Sequence, residues 1–169
     1  MKGRPGKAKA AYQWDFFLAH AGADQEEAEE LDDYLRPHSR VFLDSRDLLL
    51  GDDWNRVLRA AQQSSCITVV LISSRTGRAY YQREEIAAAI ALAREDDSRH
   101  RVIPVFLDEP ARSDVPYGLR LKHGARLSAG CTLKDVADQL LSQLTKIRSE
   151  AGKPGGVGGA GGWRNIPHR

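Results

Sequence analysis

The run Cys66–Ser73, CITVVLIS, constrains the fold more than any other stretch of the chain. It is almost unbroken in apolar, largely branched residues. A strand of that kind belongs in the middle of a parallel sheet, covered on both faces. Three further runs read as strands around it: Gln13–His20 (QWDFFLAH), Arg40–Asp44 (RVFLD) and Arg101–Leu107 (RVIPVFL). Phe16 and Phe17 fall on opposite sides of the first of these. Pro104 removes one ladder donor from the last, which points to an edge position or a local bulge. A short fifth strand is expected near Ala125–Leu127.

Helical patterns alternate with these strands. Asp24 and Glu27 form a capping-box pattern before a helix over Gln25–Leu35, and Pro37 ends it. The segment SRDLLLGDD reads as a loop leading to a helix from Trp54 to Gln63. Tyr80–Arg94 forms a third helix. Thr132 caps a last one, in which Leu133, Val136, Ala137, Leu140, Leu141, Leu144 and Ile147 keep helical spacing. Strands alternating with helices across short turns imply right-handed crossovers and a parallel sheet covered on both faces. The fold class is therefore α/β, a flavodoxin-like five-stranded sheet of order 2-1-3-4-5. Ligands of such sheets sit outside the carboxyl ends of the strands, where the order reverses between the first and third. Three stretches converge there: His20–Asp24, Asp44–Asp53 and Ser73–Glu85.

Length and composition narrow the choices. A chain of 169 residues suits one domain over 12–150, with a disordered lead-in over 1–11 and a glycine-rich linker over 151–169 (GKPGGVGGAGG, then WRNIPHR). The expected location is cytoplasmic: MKGRPGKAKAA is basic but lacks the apolar core of a secretion signal. No apolar run approaches the roughly 20 residues of a membrane span, so no membrane partner is expected. A net charge of +2, with bases and acids interspersed, does not favour nucleic acid. The two cysteines, Cys66 and Cys131, have no metal-ligand spacing, so no metal site is expected.

The helix YYQREEIAAAIALAR holds the strongest chemical signal. At 100° per residue Tyr81, Glu85, Ile86, Ala89, Ile90, Leu92 and Ala93 share one arc, whereas Arg83, Glu84 and Arg94 fall outside it. Of two adjacent glutamates, Glu85 is the one set among apolar positions. A carboxylate there destabilises the fold unless it is paired or used. Two roles stay open on spacing alone: a functional carboxylate, or a structural one bonded to an amide or an arginine.

WDFFLAHAGAD at the first strand, RVFLDSRDLLLGDDW at the second, VVLISS at the third and YYQREEIAAAI on the following helix together resemble a bacterial Toll/interleukin-1 receptor (TIR) domain. The resemblance covers about Gln13–Arg148 and keeps motif order and spacing. It implies that Asp44–Trp54 is the loop that gates the site and carries self-association contacts, with Asp44 and Gly51 at the matching positions. Many members of that family cleave NAD between nicotinamide and ribose. Their catalytic glutamate matches Glu85, followed by Ile86 and preceded one turn earlier by an aromatic, here Tyr81 where tryptophan is common.

The implied function is an NAD+ glycohydrolase activated by self-association in antiviral or immune signalling, giving nicotinamide and linear or cyclic ADP-ribose. Substrate-binding positions are expected at His20, Ala21, Gly22, Asp44, Leu48, Ser73 and Tyr81. No cofactor beyond the substrate NAD+ is expected, and the partners are NAD+ and other TIR domains. A sparse site suits this reaction. Nicotinamide leaves neutral from a pyridinium, so the leaving group needs no protonation and the second carboxylate of ordinary glycosidases is unnecessary. One carboxylate in a water-poor crevice stabilises the charge that develops on the ribose.

Other readings stand beside these. Gly22 alone makes a turn, His20 suits a structural role as well as a catalytic one, and Trp54 suits packing. Leu48–Leu50 is either an assembly contact or core packing. A noncatalytic TIR–TIR interaction module would use the same fold and loop. A phosphoryl-accepting receiver domain would need an aspartate at the end of the third strand, where Ser73 and Ser74 stand.

Overall fold

The computed structural model describes residues 12–76, 80–95 and 100–151, with 80–85, 92, 94 and 151 as backbone only. The lead-in over 1–11 and the linker beyond 151 lie outside the described residues. Five parallel strands form one sheet in the order β2-β1-β3-β4-β5. They are β1 (Trp14–Ala19), β2 (Val41–Phe42), β3 (Ser65–Ile72), β4 (Arg101–Phe106) and β5 (Ala125–Arg126). The helices are α1 (Gln25–Leu35), α2 (Asp44–Asp47), α3 (Trp54–Gln63), α4 (Tyr80–Glu95) and α5 (Leu133–Ala151). The flavodoxin-like order expected from the sequence is the order found.

Burial follows the period of each element. All eight residues of β3 are buried, as befits a strand paired on both sides by β1 and β4. Phe16, Leu18, Ile67, Val69, Leu71 and Val105 pack on one face against α1 and α5, through Ala28, Leu31, Val136, Leu140 and Leu144. Phe17, Ala19, Val70, Ile72 and Val102 pack on the other, against Leu58 and Ala61 of α3 and Ile86, Ala89 and Ala93 of α4. Phe16 and Phe17 thus anchor opposite layers. Phe17 also stacks on Phe42 with ring centroids 5.5 Å apart, which joins β1 to β2.

Pro104 sits inside β4, which is paired on both sides. Its missing donor is tolerated because of parity. Leu107 donates to Ile72 on the β3 side, while the Phe106 carbonyl accepts from Leu127 on the β5 side. Pro104, two residues before Phe106, therefore turns toward β5, and β5 pairs only with Val105 and Phe106. The proline is buried, on a stretch of the β5-facing edge that no ladder partner occupies. Gly124 passes so close to it that a Cβ would overlap the Pro104 carbonyl oxygen.

Two local expectations change. The segment SRDLLLGDD is not all loop: Asp44–Asp47 winds one helical turn. Asp47 supports that turn by accepting from the Leu43 amide at 2.7 Å and from Arg36 at 2.9 Å. The capping box of α1 does not form either. Asp24 occupies the N-cap position with no side-chain capping bond, because its carboxylate is drawn inward to β3. Thr132 does cap α5, its hydroxyl accepting from the Asp135 amide at 3.3 Å while its own amide donates to the Asp135 carboxylate at 2.8 Å.

At the amino end of the sheet Asp15, 3% exposed, ties three elements together. It accepts from the Arg40 amide at 2.9 Å, the Arg40 guanidinium at 3.0 Å and Arg148 of α5 at 2.6 Å. Burial pushes its carboxyl up, but the Arg40 hydrogen bonds and the Arg148 charge outweigh that and hold it below the usual carboxylate range.

Candidate functional site

The carboxyl ends of β1, β2 and β3 bring the three expected stretches together through two side-chain ties. The first joins β1 to β2. His20, directly after β1, meets Asp44 at the start of α2, with Nε2 3.0 Å from Oδ1. The imidazole is 7% exposed and the carboxylate 32%. Burial raises the Asp44 carboxyl, while the His20 hydrogen bond and charge and the Ser45 amide lower it further, so it stays below its ordinary range.

The second tie joins β1 to β3. Ser73, directly after β3 and fully buried, donates its hydroxyl to both oxygens of Asp24 at 2.9 Å. Asp24 is itself fully buried, and Arg75 meets it at 2.6 Å. Arg75 also reaches Glu27 in the first turn of α1 at 2.9 Å. The turn after β3 is closed locally, the Ser73 amide donating to the Thr76 hydroxyl at 2.8 Å. Ser74 donates from its amide and hydroxyl to Asp108 beyond β4, each at 2.8 Å. Polar ties thus link the exits of four of the five strands.

Of the residues selected from sequence, His20 and Asp44 contact each other and Ser73 contacts Asp24. Ala21 is buried and Gly22 exposed, with open space where a Cβ would stand. Leu48 closes α2 and packs against Phe17 and its neighbours, whereas Leu49 and Leu50 are 74% and 107% exposed. The triplet therefore divides: one leucine packs and two face solvent. Gly51, at φ 91°, provides the left-handed turn that brings the loop back toward α3. Trp54 is 37% exposed at the start of that helix.

Tyr81 and Glu85 lie on the backbone of α4, and their side chains are outside the described residues. The downstream part of the expected arc is described: Ile86, Ala89 and Ala93 are buried, Ile90 is half-buried, and Ala87, Ala88 and Ala91 are exposed. Asp24 and Arg75 lie within the stretches expected to converge, but nothing in the sequence signalled the Asp24–Ser73 and Asp24–Arg75 contacts. The capping pattern around Asp24 hid a partner 49 residues away. A separate groove of about 660 Å³ lies between β4, β5 and α5, lined by residues such as Arg101, Lys122 and Lys146, at the amino ends of those strands. Among the described residues no cluster could hold a metal ion, and no helix is long and apolar enough to cross a membrane.

The fold is a doubly wound α/β module of the flavodoxin-like class, whose strand order reverses between β1 and β3. A family model described as TIR domain matches residues 16–144, and the chain belongs to that family. No curated protein matches the sequence. Among solved structures, the TIR domain of the Toll-related receptor TRR-2 from the lower metazoan Hydra magnipapillata is similar at TM-score 0.59 and 21% identity, covering 80% of this chain and 99% of that one. A metazoan TIR-STING receptor from C. gigas, in complex with 2',3'-cGAMP, is similar at TM-score 0.66 and 17% identity, over 81% of this chain and 41% of that one. The TIR domains of the activated Roq1 resistosome, which recognises the pathogen effector XopQ, are similar at TM-score 0.53 and 19% identity, over 81% and 84% of the two chains. These likenesses establish a shared fold.

Proposed function

We propose that this TIR domain is an NAD+ glycohydrolase of the bacterial NAD-cleaving type, acting in the cytoplasm and switched on by self-association in antiviral or immune signalling. Glu85 is its catalytic carboxylate. The observation that carries the reading is the phase of α4. Among the described side chains of α4, Ile86, Ala89 and Ala93 are the buried ones, and position 85 adjoins them on the wheel while position 84 does not. The TIR family includes NAD-cleaving enzymes, which adds support.

The chemistry asks little of the protein. The nicotinamide–ribose bond breaks with both electrons going to the pyridinium nitrogen, and nicotinamide departs neutral. The carboxylate stabilises the cation growing on the ribose, and water adds to that carbon and releases a proton to solvent to give ADP-ribose. An internal nucleophile would give the cyclic product instead. No cofactor besides the substrate takes part. His20, Ala21, Gly22, Asp44, Leu48, Ser73 and Tyr81 are proposed to border the dinucleotide, and residues 12–150 to form the catalytic domain ahead of a linker.

The test follows nicotinamide release from NAD by the concentrated native chain, Glu85→Gln and Glu84→Gln, with circular dichroism to check folding. Loss of activity in Glu85→Gln alone is the expected result. Loss in Glu84→Gln with retention in Glu85→Gln would refute the assignment. A second reading, a noncatalytic TIR–TIR interaction module, is favoured by one observation: Leu49 and Leu50 stand exposed in the loop between α2 and α3. A concentrated, self-associated native chain that releases no nicotinamide would select it.

A further inference from the structure

The His20 ring offers more than a candidate contact. Its Nδ1 lies 2.8 Å from the Ala21 carbonyl oxygen, which can only accept. Its Nε2 lies 3.0 Å from Asp44 Oδ1, which already accepts from the Ser45 amide at 2.8 Å. A neutral imidazole has one N–H and one bare nitrogen, and a bare nitrogen facing an acceptor is repelled. Both nitrogens here face acceptors.

We infer that His20 is an imidazolium, and that it acts as a positioning residue: a fixed cation that holds Asp44, and through it the start of α2 and the loop over Leu48–Leu50, against the end of β1. With both ring N–H groups engaged, His20 neither takes nor gives a proton in whatever reaction the crevice performs. The contacts that hold α2 support this. Its second half is held to α1 by Arg46, which bonds Asp32 at 2.8 Å and Asp33 at 2.6 Å, and by the Arg36–Asp47 pair. Neither contact reaches Asp44. The beginning of α2 is tied to α1 by Ser45, whose hydroxyl donates to Glu29 at 3.1 Å, and to the end of β1 by His20, at the point where the chain leaves β2. A 7%-exposed cation needs a counter-charge close by, and Asp44 provides it.

The inference goes beyond the proposed reaction, and its test does not depend on turnover. In the full chain labelled with 15N, long-range proton–nitrogen correlation at neutral pH reads each ring nitrogen as protonated or bare. Two protonated nitrogens are expected for His20, and a bare nitrogen in the native protein would overturn the inference. In Asp44→Asn, which keeps the shape of the acceptor but not its charge, His20 is expected to lose one ring proton. Exchange of the Ser45 and Leu48 amides should quicken about tenfold or more in both Asp44→Asn and His20→Gln, the scale of a lost charge-assisted hydrogen bond. Unchanged exchange in both variants would show that His20 does not position α2. If nicotinamide release is absent while these signatures appear, the reaction fails and the positioning role stands.

Discussion

Removing the carboxylate of Asp24 tests whether the exits of β1 and β3 are held together by a buried polar tie or merely decorated by one. Asp24 is 0% exposed, accepts from Ser73 at 2.9 Å and meets Arg75 at 2.6 Å. Breaking a buried ion pair from one side usually costs about 3–5 kcal/mol, because the surviving charge is stranded. Arg75 is not stranded here. Its side chain is 48% exposed and keeps Glu27 at 2.9 Å, so solvent and that carboxylate absorb most of the penalty. Ser73 is the group left without compensation. Its hydroxyl is fully buried, and losing its acceptor costs about 1–3 kcal/mol.

Adding a small cavity in place of the carboxylate, Asp24→Ala should destabilise the domain by about 2–3 kcal/mol, at or just below the bottom of the buried-pair range. For a chain of this size that lowers the melting temperature by roughly 5–10 °C. Thermal unfolding followed by circular dichroism, with urea titration as a check, measures it. Ser73→Ala combined with Asp24→Ala should fall short of the sum of the two single effects by at least about 0.5 kcal/mol, since both remove the same bond. A single-variant loss under about 0.5 kcal/mol, the size of an ordinary surface substitution, would refute the reasoning. Strict additivity in the double variant would do the same.

Three other outcomes follow from the geometry. His100, 5% exposed, pairs its Nε2 with the Thr68 hydroxyl at 3.0 Å and donates from Nδ1 to the Ser65 carbonyl at 2.9 Å, a neutral ring whose pKa burial lowers more than the Ser65 bond raises it. Its contribution is complete above the unfolded value of about 6.5 and is lost as pH falls below that, with a slope of at most about 1.4 kcal/mol per pH unit; urea unfolding at pH 7.5 and 5.5 should show a smaller difference in His100→Gln than in the native chain. Replacing Leu49 and Leu50 with serine should change stability by no more than about 0.5 kcal/mol each, yet weaken self-association measured by analytical ultracentrifugation. Gly124→Ala drives a methyl into the Pro104 carbonyl and should destabilise by about 1–3 kcal/mol in a thermal melt; an unchanged melt would mean that the β4–β5 approach is looser than described.

The architecture was legible because short-range patterns decide it. CITVVLIS could only be an interior parallel strand, and the alternation around it left few topologies. The two phenylalanines of β1 found opposite layers because strand period alone assigns them. What the sequence hid were contacts made across long separations. Asp24 carries a helix-start pattern, but its carboxylate bonds Ser73, and Arg75 adds a second partner that no local rule reveals. Pro104 looks like an edge residue and lies in an interior strand, because only knowledge of how short β5 is tells which side its missing donor faces. For the crevice, topology selected the stretches correctly as neighbours. It could not say that His20 and Asp44 would bind one another, since that depends on a turn of helix invisible in SRDLLLGDD.

Both outermost strands, β2 and β5, are two residues long. A sheet that ends so abruptly offers an approaching chain almost no row of free amides and carbonyls to zip onto. Crowding copies of this domain together is therefore a matter of fitting side chains to side chains, through loops and helices. If the domain self-associates as proposed, that arrangement favours reversible assembly, because contacts of this kind come apart where fused sheets would not.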